Sequence, residues 1–362
     1  MWLAKVIAKN ASACYNVAPM RLKNVFLLVI ITLTCRWAFA AGKTSIVDLP
    51  KHAIEQSQIT LPGSRPFHLK ATVVNTTNLD NENYKAEIEE SWVAPDKWRR
   101  TIKTSDFSQT IVVNGEKVSE QLTGEYYPHW LRTMVNAIFD PGAVLQGLDM
   151  SKSSDNPMSG GTEFCRRFTS HAGVPPVANN VFSTYCFEGN LLKSVDIPGY
   201  GAEYKDYEKF AVKQVARKIR EDIESGTKLE ATINELSELG TPDESLFATQ
   251  QPTSQLRTLT VSEQTMRGLV LDAPAMQWPP IQQGKSSGLL SIYVCLDREG
   301  GVREIYNLNS DQPIMNDAVH KQVGKWRFKQ AVNAGAPVQI ESVLTFAYDT
   351  KIAPASQGPA GK

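Results

Sequence analysis

Over residues 60 to 240 apolar and polar positions alternate in short runs punctuated by turn residues, the period-2 pattern of strands with one buried face. Phe67–Val74, Tyr84–Val93 and Trp98–Lys103 predict three successive strands. Asn114-Gly115, set between Thr110–Val113 and Lys117-Val118, predicts a hairpin with a type I′ turn. The period changes after Pro128, where Trp130, Met134, Ala137 and Ile138 share one face of a helix that Pro141 stops. Strands resume at Thr162–Phe168, Phe182–Phe187 and Leu191–Val195, then at Tyr204–Val215 and Lys228–Leu236. The pattern describes an antiparallel sheet with a helix against it.

The last hundred residues show a second, shorter cycle. Leu290, Ile292, Val294 and Leu296 alternate with Ser291, Tyr293, Cys295 and Asp297, so this strand is expected to bury one face. Asp297–Gly301 supplies a turn, and Val302–Leu308 returns as the second arm of a hairpin. Asp311 and Pro313 open a helix whose Met315, Val319, Val323 and Trp326 recur along one face. The chain turns at Gly335 and Pro337 and ends in a β-branched, aromatic strand, Val338–Tyr348. The order is β-β-α-β.

Between the cycles, residues 241–256 are polar, proline-marked and without period, and read as a linker. The predicted organisation is a signal peptide over 1–40, a β-rich domain over 41–240, the linker, a small domain over 257–352 and a disordered tail over 353–362. The fold class is α+β: a curved, half-barrel-like antiparallel sheet with a helix, followed by the small β-β-α-β domain.

The amino terminus carries Arg21 and Lys23 before the apolar run Val25–Cys35, then Ala38-Phe39-Ala40, the small-x-small pattern of a signal peptidase site. The run is shorter than the ~20 residues of a spanning helix, and Arg36 interrupts it. Export to the periplasm with cleavage after Ala40 is the reading, with an inner-membrane anchor as the alternative; translation starts at Met1 or Met20. Cys165 and Cys186 lie in two strand-like runs flanking a loop with Gly173, Pro175 and Pro176, so they can face each other across a hairpin. An oxidising compartment would join them in a disulfide worth about 3 kcal/mol; free thiols, or a metal held with His171, are the alternatives. Cys295 reads as a small buried hydrophobe.

Residues 272–350 resemble the TonB carboxy-terminal domain family. The likeness rests on the Gly288-to-Val302 hairpin with Asp297 and Gly300, on Ser310, on the helix ending in Trp326-Arg327-Phe328, and on Gly335-Ala336-Pro337-Val338 before the last strand. Trp278-Pro279 stands where that family has Tyr-Pro, and no long proline-rich spacer precedes the domain. The resemblance implies that the last strand receives an extended segment of an envelope partner, such as an outer-membrane receptor, in a role linked to transmembrane transport. The residues concerned are Val338, Ile340, Ser342, Val343, Leu344, Thr345 and Phe346. Main-chain pairing on a free sheet edge supplies the physical basis.

The middle region is similar to the periplasmic lipoprotein carriers of LolA and LolB type. The likeness rests on Phe67-x-Leu69-x-Ala71, on Trp92-Val93-Ala94-Pro95-Asp96-Lys97-Trp98-Arg99, on the Val112–Val118 hairpin, and on Tyr204, Tyr207 and Phe210. It implies a concavity for a lipid or acyl ligand lined by Trp92, Trp98, Trp130, Met134 and Phe139; the same residues can equally form the core beneath the helix.

The chemistry narrows the rest. Lysine plus arginine and aspartate plus glutamate number 38 each, which gives no net field for a phosphate backbone and points away from nucleic acid. The histidines, His52, His68, His129, His171 and His320, are scattered without ligand spacing. Ser225-x-x-Lys228 and Ser154-Asp155-Asn156 stand in the wrong order for a β-lactamase site. With no catalytic constellation, the expectation is a non-enzymatic envelope interaction protein without cofactor or metal, or a carrier of a lipid or acyl ligand.

Overall fold

The computed structural model describes residues 46–77, 84–146, 148–156, 161–168, 183–197, 199–223, 227–249, 258–281, 286–310 and 312–352. The expected signal segment and tail, and His171, lie outside them. After α1 (Leu49–Ser57) come β1 (Phe67–Asn75), β2 (Ala86–Ala94), β3 (Lys97–Lys103), β4 (Ser108–Asn114) and β5 (Lys117–Thr123), then α2 (His129–Phe139). β6 (Ser154–Asp155), β7 (Glu163–Phe168), β8 (Ser183–Glu188), β9 (Leu191–Ile197), β10 (Tyr200–Phe210), β11 (Lys213–Ile223) and β12 (Thr227–Glu238) follow. These strands form one antiparallel sheet in the order β5-β4-β3-β2-β1-β12-β11-β10-β9-β8-β7-β6. The single long-range step pairs β1 with β12, Phe67 opposite Glu238. All other neighbours are hairpins, as expected of an open antiparallel meander.

Alternation decides which face is buried. On β1, Phe67, Leu69, Ala71 and Val73 point inward, and on β2 Ala86, Ile88 and Trp92 do so. Helix α2 lies on that inner face and buries Trp130, Leu131, Met134, Val135, Ala137, Ile138 and Phe139. At ~25 cal/mol per Å² of apolar surface, this contact is the main term holding the helix to the sheet.

The carboxy-terminal module contains β13 (Thr258–Thr260), α3 (Glu263–Gly268), β14 (Val270–Asp272), β15 (Ser287–Leu296), β16 (Val302–Ser310), α4 (Pro313–Val323), β17 (Arg327–Phe328), β18 (Ala331–Asn333) and β19 (Ala336–Asp349). Its sheet runs β13-β19-β15-β16, with β18 also on β19. One face packs on α4 through Leu290, Ile292, Val294, Met315, Val319, Val323, Leu344 and Phe346.

Four expectations change. The hairpin at Asn114 turns at Gly115 and Glu116, because Asn114 pairs with Lys117 and only Gly115 has positive φ, at 62°. The run Tyr204–Val215 is two strands: the chain reverses at Ala211, whose φ of 52° no glycine announces. The described part of the linker, 241–249, is pinned, since Glu244–Phe247 forms a 3-10 turn and Phe247 is fully buried, with Lys97 bonded to Glu244 at 2.8 Å. Finally, β15 buries both faces: Ser291 and Cys295 are as inaccessible as Ile292. Cys165 and Cys186 stand directly opposite on β7 and β8 and are disulfide-bonded, while Cys295 is free.

Candidate functional site

The concave face of the large sheet is filled. Trp92, Trp130, Met134 and Phe139 are buried in one core, and Trp98 packs at its margin. Phe67 stacks on Trp92 with ring centroids 5.5 Å apart. Arg100, ion-paired with the buried Glu90, lies over the Phe139 ring at 3.9 Å. Of the expected lining residues, Trp130, Met134 and Phe139 belong to α2 and Trp92 and Trp98 to the sheet, and the helix supplies the apolar partner that a ligand would otherwise supply.

The outer edge of the last strand, expected to be open, is occupied. β13 pairs with it in parallel, Thr258 opposite Gln339 and Thr260 opposite Glu341. Val261 donates its N–H to the Glu341 carbonyl at 2.9 Å, and the Ser342 hydroxyl donates to the Val261 carbonyl at 2.8 Å. At Thr345 the Glu263 carboxylate accepts the backbone N–H at 2.9 Å, and the Arg267 guanidinium donates to the carbonyl at 2.6 Å. Val338, Ile340, Ser342, Leu344 and Phe346 are buried, and Val343 and Thr345 are half-buried. Strand β13 and helix α3 precede the stretch with TonB resemblance and do the covering, so strand addition along 339–345 would displace the chain's own segment.

The second face of the module sheet meets the first half of the molecule. Glu304, on β16, accepts the His129 N–H at 2.6 Å and the hydroxyls of Tyr126 and Tyr306. It places a carboxylate at the amino-terminal end of α2, where free N–H groups and the helix dipole favour negative charge. Gln339 mimics a strand partner for Tyr127, accepting its N–H at 2.9 Å and donating to its carbonyl at 3.0 Å. Arg132 is ion-paired with Glu341, both largely buried, and this contact together with His129 holds the Glu341 carboxyl well below its usual range against the opposing effect of burial. At Gly199, between β9 and β10, a Cβ would collide with Leu308, so the glycine permits the close approach.

These contacts enclose a partly open cavity of about 460 Å³ between α2, the β9–β10 turn and the module sheet. Ala137, Val144, Ile197, Leu308 and Val343 give it an apolar wall; Tyr200, Tyr204, Tyr293 and Tyr306 add aromatic surface. Of the expected site residues, only Val343 reaches it. Behind Thr133 and Tyr200 stands Glu221, on the inner face of β11 and 1% exposed. Burial pushes its carboxyl up to about 8, so it holds a proton at neutral pH. The Thr133 hydroxyl is 2.8 Å from the Trp130 carbonyl and 3.1 Å from Glu221 Oε2. An acid at an inward position of an alternating strand, two residues after Ile219, is the sequence signal for this group.

Among the described residues, one group has metal-ligating spacing: His129, Cys295 and Glu341, with ligand atoms within 4.8 Å of one another. Arg132 already supplies the positive charge that Glu341 requires, and burial pushes the Cys295 thiol well up, away from the thiolate that binds metals. The arrangement is an ion-pair network. No described helix is long and apolar enough to cross a membrane.

No protein-family model and no curated protein matches the sequence. Solved structures similar to it include a LolA superfamily protein from Nitrosomonas europaea, 7% identical with TM-score 0.33, over 56% of this chain and 96% of that one. A putative outer membrane lipoprotein-sorting protein domain from Vibrio parahaemolyticus is 11% identical with TM-score 0.32, over 56% and 95% of the two chains. A DUF1329 family protein from Desulfovibrio piger is 9% identical with TM-score 0.33, over the same shares.

Proposed function

We propose that this chain is an exported, non-enzymatic cell-envelope protein that carries an apolar ligand, of lipid or acyl type, in the cavity between α2 and the carboxy-terminal module. The observation that carries the reading is the cavity itself. Its volume of about 460 Å³ falls within the roughly 300–1,000 Å³ of small-molecule sites, and its wall joins apolar and aromatic side chains with few polar groups. Export is supported by the charged, apolar and small-x-small succession at Arg21–Ala40 and by the Cys165–Cys186 disulfide. The filled edge of β19 favours this reading over capture of an envelope protein by strand addition.

The test is binding of the fluorescent apolar dye N-phenylnaphthylamine to delipidated protein. Saturable enhancement is expected with the parent chain. Val144→Trp, at a half-buried wall position that also touches the large-sheet core, should weaken binding by about tenfold or more, the equivalent of ~1.4 kcal/mol. Dye binding that is absent, or unchanged in a folded Val144→Trp variant, overturns the reading.

A further inference from the structure

The cavity wall is divided between two bodies that keep separate cores. Residues 49–236 supply one core and residues 259–348 the other, and no residue belongs to both. The two faces of the module sheet differ accordingly. Toward α4 it offers Leu290, Ile292 and Val294 on β15, and Leu344 and Phe346 on β19. Toward α2 it carries Tyr293, Cys295, Glu304, Tyr306, Gln339 and Glu341. Permanently covered faces are the more apolar kind, and a face with this share of polar groups is suited to being uncovered. The contacts between the bodies have the same character. Glu304 accepts the His129 N–H, Gln339 makes both bonds to the Tyr127 backbone, and Arg132 pairs with Glu341. Water can take the place of each partner when the bodies part. The apolar share is the small cluster of Tyr126, Tyr293, Cys295 and Tyr306, with the close approach of Leu308 to Gly199.

We propose that the carboxy-terminal module is the door of the cavity: it leaves α2 as one unit, with both cores intact, to admit and release the apolar ligand, and Glu304, Gln339 and Glu341 are its latch. This rests on the carrier reading above and adds the route by which the ligand enters. Tyr306, Leu308 and Val343 line the cavity from the module, and Ala137, Val144 and Ile197 line it from the first half. Departure of the module therefore removes one wall whole. A ligand that touches both walls gains its full contacts only in the closed state and thereby favours it. Opening also leaves a mark on the backbone. The N–H groups of Tyr127 and His129 are bonded to module side chains, Gln339 and Glu304 respectively, so one event deprotects both.

Hydrogen exchange in the full chain tests the motion. The Tyr127 and His129 amides should exchange together, about tenfold or more faster than those of Leu69 and Ile88 in the large-sheet core. Glu304→Gln removes the charge held at the start of α2 and should speed both amides and dye release by about fivefold. Tyr127 is included although its partner is Gln339, because the module opens as a unit. Tying the bodies together tests the route. With Leu308→Cys, a Cβ introduced by Gly199→Cys no longer meets the leucine branch, and it falls 3.9 Å from the Leu308 Cγ position, within reach of a disulfide. The positive φ at 199 burdens both redox forms of this double variant alike. Oxidised, it should take up and release N-phenylnaphthylamine about tenfold or more slower than when reduced, with the parent under both conditions as the control. Acceleration confined to His129 in Glu304→Gln, or equal dye rates in the oxidised and reduced double variant, overturns the door while dye binding leaves the carrier reading standing. Failure of the parent to bind dye removes both.

Discussion

Helix α2 has two faces that meet opposite kinds of surface. Toward the large sheet it offers Leu131, Met134, Val135 and Ile138 to a close-packed aromatic and aliphatic core. Toward the module it offers His129, Thr133, Asn136 and Asp140 to tyrosines and a cavity. The first contact is self-sufficient, with apolar surface on both sides. The second leaves volume unfilled and is bordered by charges and amides. A sheet of this shape can hold a ligand in its concavity only if nothing else fills it; here α2 fills it, and the space reappears on the helix's far side, where a second domain supplies the opposite wall.

Leu131→Ala should break the first contact. Leu131 is fully buried, and a loss of about 2–5 kcal/mol is expected from its removal. Asn136→Ala, on the exposed cavity side of the same helix, should stay within about 0.5 kcal/mol. Denaturant midpoints of the two variants measure the contrast, and equal losses would mean that the two faces are packed alike.

A smaller effect concerns Glu221. Its carboxyl is raised from 4.5 to about 8 by burial, so between those values the folded protein holds a proton that the unfolded chain has released. Stability must then fall as pH rises through this window and level off above about 8, with a slope approaching ~1.4 kcal/mol per pH unit. Glu221→Gln removes that contribution. Urea titrations at pH 5 and pH 8 should show the parent losing more stability than the variant, and parallel losses would place Glu221 in a more solvated setting.

The smallest effect sharpens the account of the covered edge. Glu263→Ala removes the acceptor of the Thr345 N–H and should cost about 1 kcal/mol, read as faster hydrogen exchange at Thr345 with little change at Leu344, whose pairing with Ile292 on β15 is untouched. Unchanged exchange at Thr345 would mean that another group protects this edge.

Much of the architecture was legible in the chain because period and turn chemistry are local. Alternation in Phe67–Val74 and Leu290–Leu296, the helical spacing of Trp130, Met134 and Ile138, and the glycine turns around Gly300 each specify an element without reference to distant residues. The reversal at Ala211 was not legible, since its residues carry no turn signature and the conformation is imposed by β10 and β11 pairing on either side. The covered edge of β19 was missed for a related reason: Thr258–Thr260 is too short to read as a strand until Glu341 and its neighbours stand beside it. The sequence by itself determined most of the long strands, the two long helices α2 and α4, and the apolar face of most of them. Only the tertiary structure decided that the tryptophans are core, that Glu304 and Glu341 join the module to α2, and that Ala137 and Val343 line one cavity. Those outcomes depend on which surfaces meet, and the meeting of surfaces far apart in sequence is set by the packing of whole elements, which no local pattern encodes.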